Sequence, residues 1–267
     1  MGRIFFGRAI AGLALTAFAA SALFVRCSRD TRTVVIDGIE RTYDVLVEGE
    51  PSADPVPLVF VFHGRNGSAW KIRYRTGIAS AAHELGDRAV FVFPQGAEYP
   101  GGNFVAWQAA CDGPDMRFMD AIVRTLGENY SIDRSRLFAS GFSWGAEMAI
   151  AFGCCRRDMV RAIAPMSGGT WDSVDACREQ APAYRMTIGD NDPIVPLKVV
   201  QHVTDEFRVR QGCSDRTHSS DPNCRAYDDC RNPVIQCIYP GVSHEVPEDG
   251  GREIWKFLRS FPSTASP

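Results

Sequence analysis

The stretch from Arg136 to Phe152, RLFASGFSWGAEMAIAF, decides the fold. Residues 136–140 read as a strand and residues 144–152 as a helix, with Gly141-Phe142-Ser143-Trp144-Gly145 as the turn between them. A serine on so tight a strand-to-helix turn is pushed out of the sheet toward solvent. Glycine on either side permits the turn, because a Cβ there would clash. The helix start also sets free N–H groups and the positive end of a dipole beside the serine oxygen. Five residues alone carry little information. The flanking strand and helix make Ser143 a candidate nucleophile.

Working outward, the same alternation continues on both sides. Upstream, residues 33–36 and 41–47 read as strands around Asp37-Gly38, a hairpin signal. The polar, proline-containing loop 48–57 leads to Leu58-Val59-Phe60-Val61-Phe62, apolar at every position, as in a strand buried on both faces. It ends at His63-Gly64. Residues 77–85 and 115–128 read as helices, the second with Phe118, Met119, Ile122, Val123 and Leu126 on one side, and 89–93 as a buried strand. Downstream, strands are expected at 162–166, 184–188 and 234–238, and helices at 197–209 and 252–258. Such alternation predicts an α/β protein, with a mostly parallel central sheet and helices on both faces. With no repeat, low-complexity tract or linker, residues 27–267 read as one domain.

Residues 1–26 differ. Arg3 and Arg8 precede an apolar, small-residue run from Ala9 to Val25, and Arg26 closes it. That is the layout of a secretory signal, with Ala20-Ser21-Ala22 as a cleavage site. The run has 17 residues, short of the ~20 that span a bilayer. A secreted or periplasmic location is therefore expected. Cys27 follows Arg26, a poor lipobox residue. The other eight cysteines (Cys111, Cys154, Cys155, Cys177, Cys213, Cys224, Cys230 and Cys237) are an even set in an exported chain and predict disulfides. Spacing leaves their pairing open. It also lacks the paired ligands of a zinc site, since Cys224 and Cys230 are too far apart and Cys154-Cys155 are adjacent. The net charge of −3 gives no electrostatic case for nucleic acid.

A serine hydroxyl needs a base. On sheets with this turn the chain order is serine, then Asp or Glu, then histidine. Among the histidines, His63 and His83 precede Ser143. His202 falls in a helical pattern and His218 in a polar, cysteine-rich loop. His244, just after the strand 234–238, sits where such sites assemble, at the C-terminal end of a strand. The acid belongs after the strand 184–188, in Gly189-Asp190-Asn191-Asp192-Pro193-Ile194-Val195-Pro196. Either aspartate could orient the imidazole, although Asp190 in a turn has a backbone-capping role open to it. The oxyanion donors are assigned to the N–H groups of Trp144, next to the nucleophile, and Arg65, after the strand 58–62. His63 reads as structural.

Taken together, these residues resemble the family that joins feruloyl esterases, acetylxylan esterases and polyhydroxybutyrate depolymerases. The likeness rests on Val59–Gly64, on Phe93-Pro94-Gln95-Gly96 followed by Trp107 and Cys111, and on residues 115–123. It continues through Ile132-Asp133 and Arg136 to the serine turn and through the acid loop. The segment with Cys213, Cys224, Tyr227, Cys230 and Cys237, then Gly241, His244 and Pro247, completes it. The resemblance implies an α/β-hydrolase fold, a serine carboxylic-ester hydrolase and Asp192 as the acid. It implies no cofactor and no metal. The substrate it implies is an ester, polymeric in the form of a plant polysaccharide or polyester, with neither a nucleic-acid nor a stable membrane partner. The chain departs from the pattern at Val242-Ser243, where two glycines are usual, at Val246, where tryptophan is usual, and at Glu147, where the family is small or apolar. These departures bear on the substrate pocket, not on the three candidate residues. Trp107, Phe142 and Trp144 are candidates to line an aromatic-acid pocket or to pack the core. A serine peptidase and a silent binding module are the competing readings. The first would bring a large extra domain for which the chain has no room, and the second would lack one of the three residues.

Overall fold

In the run from Leu58 to Phe62 every side chain is buried, and successive side chains enter different cores. Leu58, Phe60 and Phe62 join one cluster, Val59 and Val61 another. This is the period-two alternation of a strand with helices packed on both faces. The computed structural model describes residues 30–50, 53–170, 174, 177 and 181–264; the apolar segment 1–26 and Cys27 lie outside the described residues.

In chain order the elements are β1 (Asp30–Ile36), β2 (Ile39–Glu48), β3 (Val56–Phe62), α1 (Ala69–Thr76), α2 (Ile78–Glu84), β4 (Ala89–Pro94), β5 (Ala97–Glu98), β6 (Val105–Ala106), α3 (Pro114–Asn129), β7 (Ile132–Phe142), α4 (Trp144–Cys155), β8 (Val160–Met166), β9 (Ala183–Gly189), α5 (Leu197–Gln211), β10 (Thr217–Asp221), β11 (Cys224–Tyr227), β12 (Val234–Tyr239) and α6 (Gly250–Arg259). Ten strands form one sheet in the order β1-β2-β4-β3-β7-β8-β9-β12-β11-β10. From β4 to β12 neighbours are parallel, while the pairs at either end are antiparallel. The first hairpin turns on Asp37 and Gly38, at φ 51° and 80°, the left-handed pair that a two-residue turn between twisted strands requires.

One face is covered by α3, α4 and α5 through residues such as Phe118, Phe152 and Phe207. The other is covered by α1, α2 and α6 through Ile72, Ile78 and Trp255. Three features were not anticipated from sequence. Helix α1 precedes the expected helix, capped by Ser68, whose Oγ accepts from Lys71 N, and stopped by Gly77 at φ 64°. The short pair β5–β6 and the hairpin β10–β11 also form. The last extends the sheet although every residue of Thr217–Ser220 is exposed.

All eight described cysteines are paired: Cys111–Cys155, Cys154–Cys177, Cys213–Cys230 and Cys224–Cys237. The adjacent Cys154 and Cys155 end α4 on different sides and so reach different partners. Among the described residues no helix is long and apolar enough to cross a membrane.

Candidate active site

Parallel strands end on one side of the sheet, so the segments after β3, β7, β8, β9 and β12 meet there. Ser143 follows β7 with φ 57° and ψ −124°, a conformation that costs a non-glycine residue about 1–3 kcal/mol. The turn is held by Ser143 N donating to Met166 O and Ala146 N donating to Ser143 O, at 2.9 and 2.8 Å. Backbone crowds both glycines of the turn. A Cβ on Gly141 would lie 2.1 Å from Gly145 O, and one on Gly145 would lie 2.2 Å from Phe62 O.

The structure brings Ser143, His244 and Asp192 into one chain of hydrogen bonds. His244 Nε2 lies 3.0 Å from Ser143 Oγ, and His244 Nδ1 lies 2.8 Å from Asp192 Oδ2. The other carboxylate oxygen, Oδ1, accepts from Ile194 N and Val195 N, each at 2.9 Å. An ionised carboxylate only accepts, so Nδ1 carries the imidazole proton and Nε2 turns its lone pair to the hydroxyl. The Asp192 side chain is 1% exposed and that of His244 13%. The imidazole therefore has one polar partner on its inner side and an open path on its outer side.

Asp190 does something else. Its Oδ1 accepts from Gly241 N at 2.7 Å. Asp190 N and Asn191 N donate to Tyr239 O and Val242 O, each at 3.1 Å. These three bonds tie the acid loop to the histidine loop and so fix the distance between Asp192 and His244.

His63 is buried, and both ring nitrogens are engaged. Nδ1 lies 2.7 Å from Gly64 O, and Nε2 accepts from Gly96 N at 2.9 Å. A carbonyl can only accept, so Nδ1 bears the proton. Burial pushes the pKa of His63 below its ordinary value of 6.5, and the neutral ring braces the loop after β3. Trp107 Nε1 donates to His63 O at 2.7 Å, and Trp107 is buried beneath the loop. Of the three aromatics considered for the pocket, Trp107 is core, while Phe142 and Trp144 line the cavity. The loop itself reaches Ser143: a Cβ on Gly64 would lie 3.1 Å from Ser143 Cβ. Among the described residues, the N–H groups of Arg65 and Trp144 donate no hydrogen bond within the protein. Both residues line the same cavity as Ser143.

That cavity has a volume of about 650 Å³ and also takes in Lys71, Ile72, Arg75, Glu147, Ile194 and Val195. No sequence pattern marks Lys71 and Arg75 as site residues, because their place at the cavity depends on α1, for which Ser68 is the available capping signal. Of the departures from the family pattern only Glu147 reaches the cavity. Val242 packs against the Cys224–Cys237 cluster and Val246 against the core under α6. His218 lies elsewhere, 2.6 Å from Asp228 Oδ1 on the exposed hairpin, His83 pairs with Glu48, and His202 is in α5.

No family model matches the chain. The solved acetyl xylan esterase of Aspergillus awamori superposes with a TM-score of 0.69, over 85% of this chain and 99% of that one, at 16% identity. The sheet and its flanking helices are those of an α/β-hydrolase fold. Feruloyl esterase C of Emericella nidulans is 30% identical over 210 residues, covering 77% of this chain and 73% of the relative. A probable feruloyl esterase C of Aspergillus terreus is 31% identical over 228 residues, covering 79% and 80%. The chain belongs to the feruloyl esterase family and is a carboxylic ester hydrolase.

Proposed function

We propose that Ser143 is the nucleophile of an acyl-transfer mechanism, with His244 as base and Asp192 as the acid that orients it. Ser143 Oγ attacks the ester carbonyl while His244 Nε2 takes its proton. The N–H groups of Arg65 and Trp144 receive the oxyanion. The tetrahedral intermediate collapses as His244 returns the proton to the leaving alcohol, and water then releases the acid from Ser143 by the same steps. The observation that carries this reading is the bond chain from Asp192 through His244 to Ser143 at the wall of an open cavity.

The substrate is a feruloyl or acetyl ester of a plant polysaccharide. The names of the relatives support this, and Trp144 in the cavity wall gives an aromatic acyl group a surface to pack on. Residues 27–267 act as one exported esterase domain, a reading supported by four disulfides that need an oxidising compartment.

The test is hydrolysis of methyl ferulate, acetylated xylan, a 3-hydroxybutyrate oligomer and p-nitrophenyl acetate by the oxidised protein and its Ser143→Ala variant. We expect methyl ferulate or acetylated xylan to lead, and kcat to fall by a factor of about 10⁴ or more in the variant. Equal rates in both proteins would remove Ser143 from the mechanism. Preference for the oligomer would replace the polysaccharide ester with a polyester.

A further inference from the structure

The mouth of the cavity carries a charge opposite to that of the chain. The protein has a net charge of −3. Yet apart from histidines the charged side chains lining the cavity are three cations, Arg65, Lys71 and Arg75, and one carboxylate, Glu147. Many arginines elsewhere among the described residues pair with carboxylates, as in Arg41–Asp115, Arg136–Asp133 and Arg156–Asp120. Among the described residues none of the three rim cations makes an ion pair. The Arg65 guanidinium lies over Phe104 at 4.1 Å, and that of Arg75 lies over Phe142 at 4.0 Å and donates to His244 O at 3.4 Å.

Stacking on a ring holds a guanidinium in place without cancelling its charge, and leaves its remaining donors free to face solvent. Lys71 and Arg75 are four residues apart on α1, hence on one face of the helix. That helix, AWKIRYRT, carries three cations and no acid. Like charges held together along a concave wall repel one another, and they focus a positive potential into the cleft. A neutral ester gains little from this. A carboxylate within reach of Arg75 gains charge-assisted bonds beside the scissile group, because Arg75 rests on His244 and on the residue before Ser143.

We propose that this cleft selects esters that themselves carry a carboxylate. The carboxylate comes from a uronic acid sugar on the alcohol side or from a second carboxyl on the acyl side. The proposal rests on the assignment of Ser143 as nucleophile.

The experiment compares kcat/KM within two matched pairs at low ionic strength. A feruloyl methyl glucuronide against a feruloyl methyl glucoside places the charge on the alcohol. 4-Nitrophenyl hemisuccinate against 4-nitrophenyl butyrate places it on the acyl group. In at least one pair the anionic ester is expected to lead by about tenfold. The ratio falls about fivefold in Arg75→Gln and about threefold in Lys71→Gln, and salt near 0.5 M collapses it toward one. Lys71→Glu with Arg75→Glu places the anionic ester below the neutral one. The pair that responds identifies the side of the ester that bears the charge. Ratios near one in both pairs, or a ratio unmoved by charge reversal, would overturn the proposal while Ser143-dependent turnover of the neutral esters kept the esterase mechanism. Absence of Ser143-dependent turnover on every ester would overturn the mechanism and the selection together.

Discussion

The two ends of the site are built by different means. At the Ser143 end, β3 and β7 run side by side through the middle of the sheet, with buried residues throughout Leu58–Phe62 and Leu137–Phe142. The backbone is packed so closely that the glycines of the turn leave no space for a methyl group. At the His244 end, β12 is flanked by the polar hairpin β10–β11, whose outer strand buries almost nothing. Two disulfides fasten that region: Cys224–Cys237 joins β11 to β12 directly, and Cys213–Cys230 joins the end of α5 to the loop before β12. Ser143 is thus positioned by core packing and His244 by covalent staples and loop-to-loop hydrogen bonds. A region with too little apolar surface to order itself needs such constraints.

Breaking the packed end has the largest expected effect. Gly145→Ala drives a Cβ to 2.2 Å from Phe62 O and 2.6 Å from His63 O, both backbone atoms that cannot swing away. Overpacking at a strained turn should cost about 3–5 kcal/mol in denaturant unfolding, and what remains folded should have lost most of its turnover. Near-normal stability and activity would mean that the turn is looser than its geometry requires.

Breaking the stapled end comes next. Replacing Cys224 and Cys237 by alanine opens a loop of sequence separation 13, and replacing Cys213 and Cys230 one of 17. Chain-entropy reasoning puts each at about 3 kcal/mol. The comparison makes a sharper demand. Because the Cys224–Cys237 cluster packs against Val242 in the histidine loop, its loss should lower kcat on methyl ferulate even under conditions where the protein stays folded. Removing Cys111–Cys155, at the far end of α4, should cost stability with less effect on kcat. Equal losses of kcat from both changes would erase the distinction between the two ends.

The same division explains what could be read in advance. The Ser143 turn, β3 and the acid loop announce themselves because buried strands need unbroken apolar runs and the turn needs glycine at two fixed places. Strands β10 and β11 and helix α1 carry no such pattern, since THSSD and AWKIRYRT are largely solvated. Disulfide pairing was open for a related reason. The sequence separations range from 13 to 44, and only the fold brings the partners together. Spacing alone leaves Asp190 and Asp192 open and the resemblance favours Asp192; in the fold Asp190 accepts from Gly241 N while Asp192 meets His244 Nδ1. Arg75 was hidden because its place beside His244 depends on α1, a helix that packs with few apolar residues.

The smallest effect concerns the seam between packing and chemistry, the loop after β3. His63 is neutral there because burial disfavours its charged form, so its folded pKa lies below 6.5. As pH falls below 6.5 the unfolded chain takes up a proton that the folded chain refuses. Stability is therefore complete above that pH and declines toward the folded pKa, with a slope of at most about 1.4 kcal/mol per pH unit from this residue. Denaturant unfolding between pH 7 and 5 should show the decline, and His63→Gln should flatten it at the cost of a lower plateau. Once protonated, Nε2 could no longer accept from Gly96 N, and the Gly64 loop would lose one of its braces next to Ser143. A slope that survives the substitution unchanged would move the titration to another histidine. The packed end of the site would then be held independently of pH, and its contrast with the stapled end would be complete.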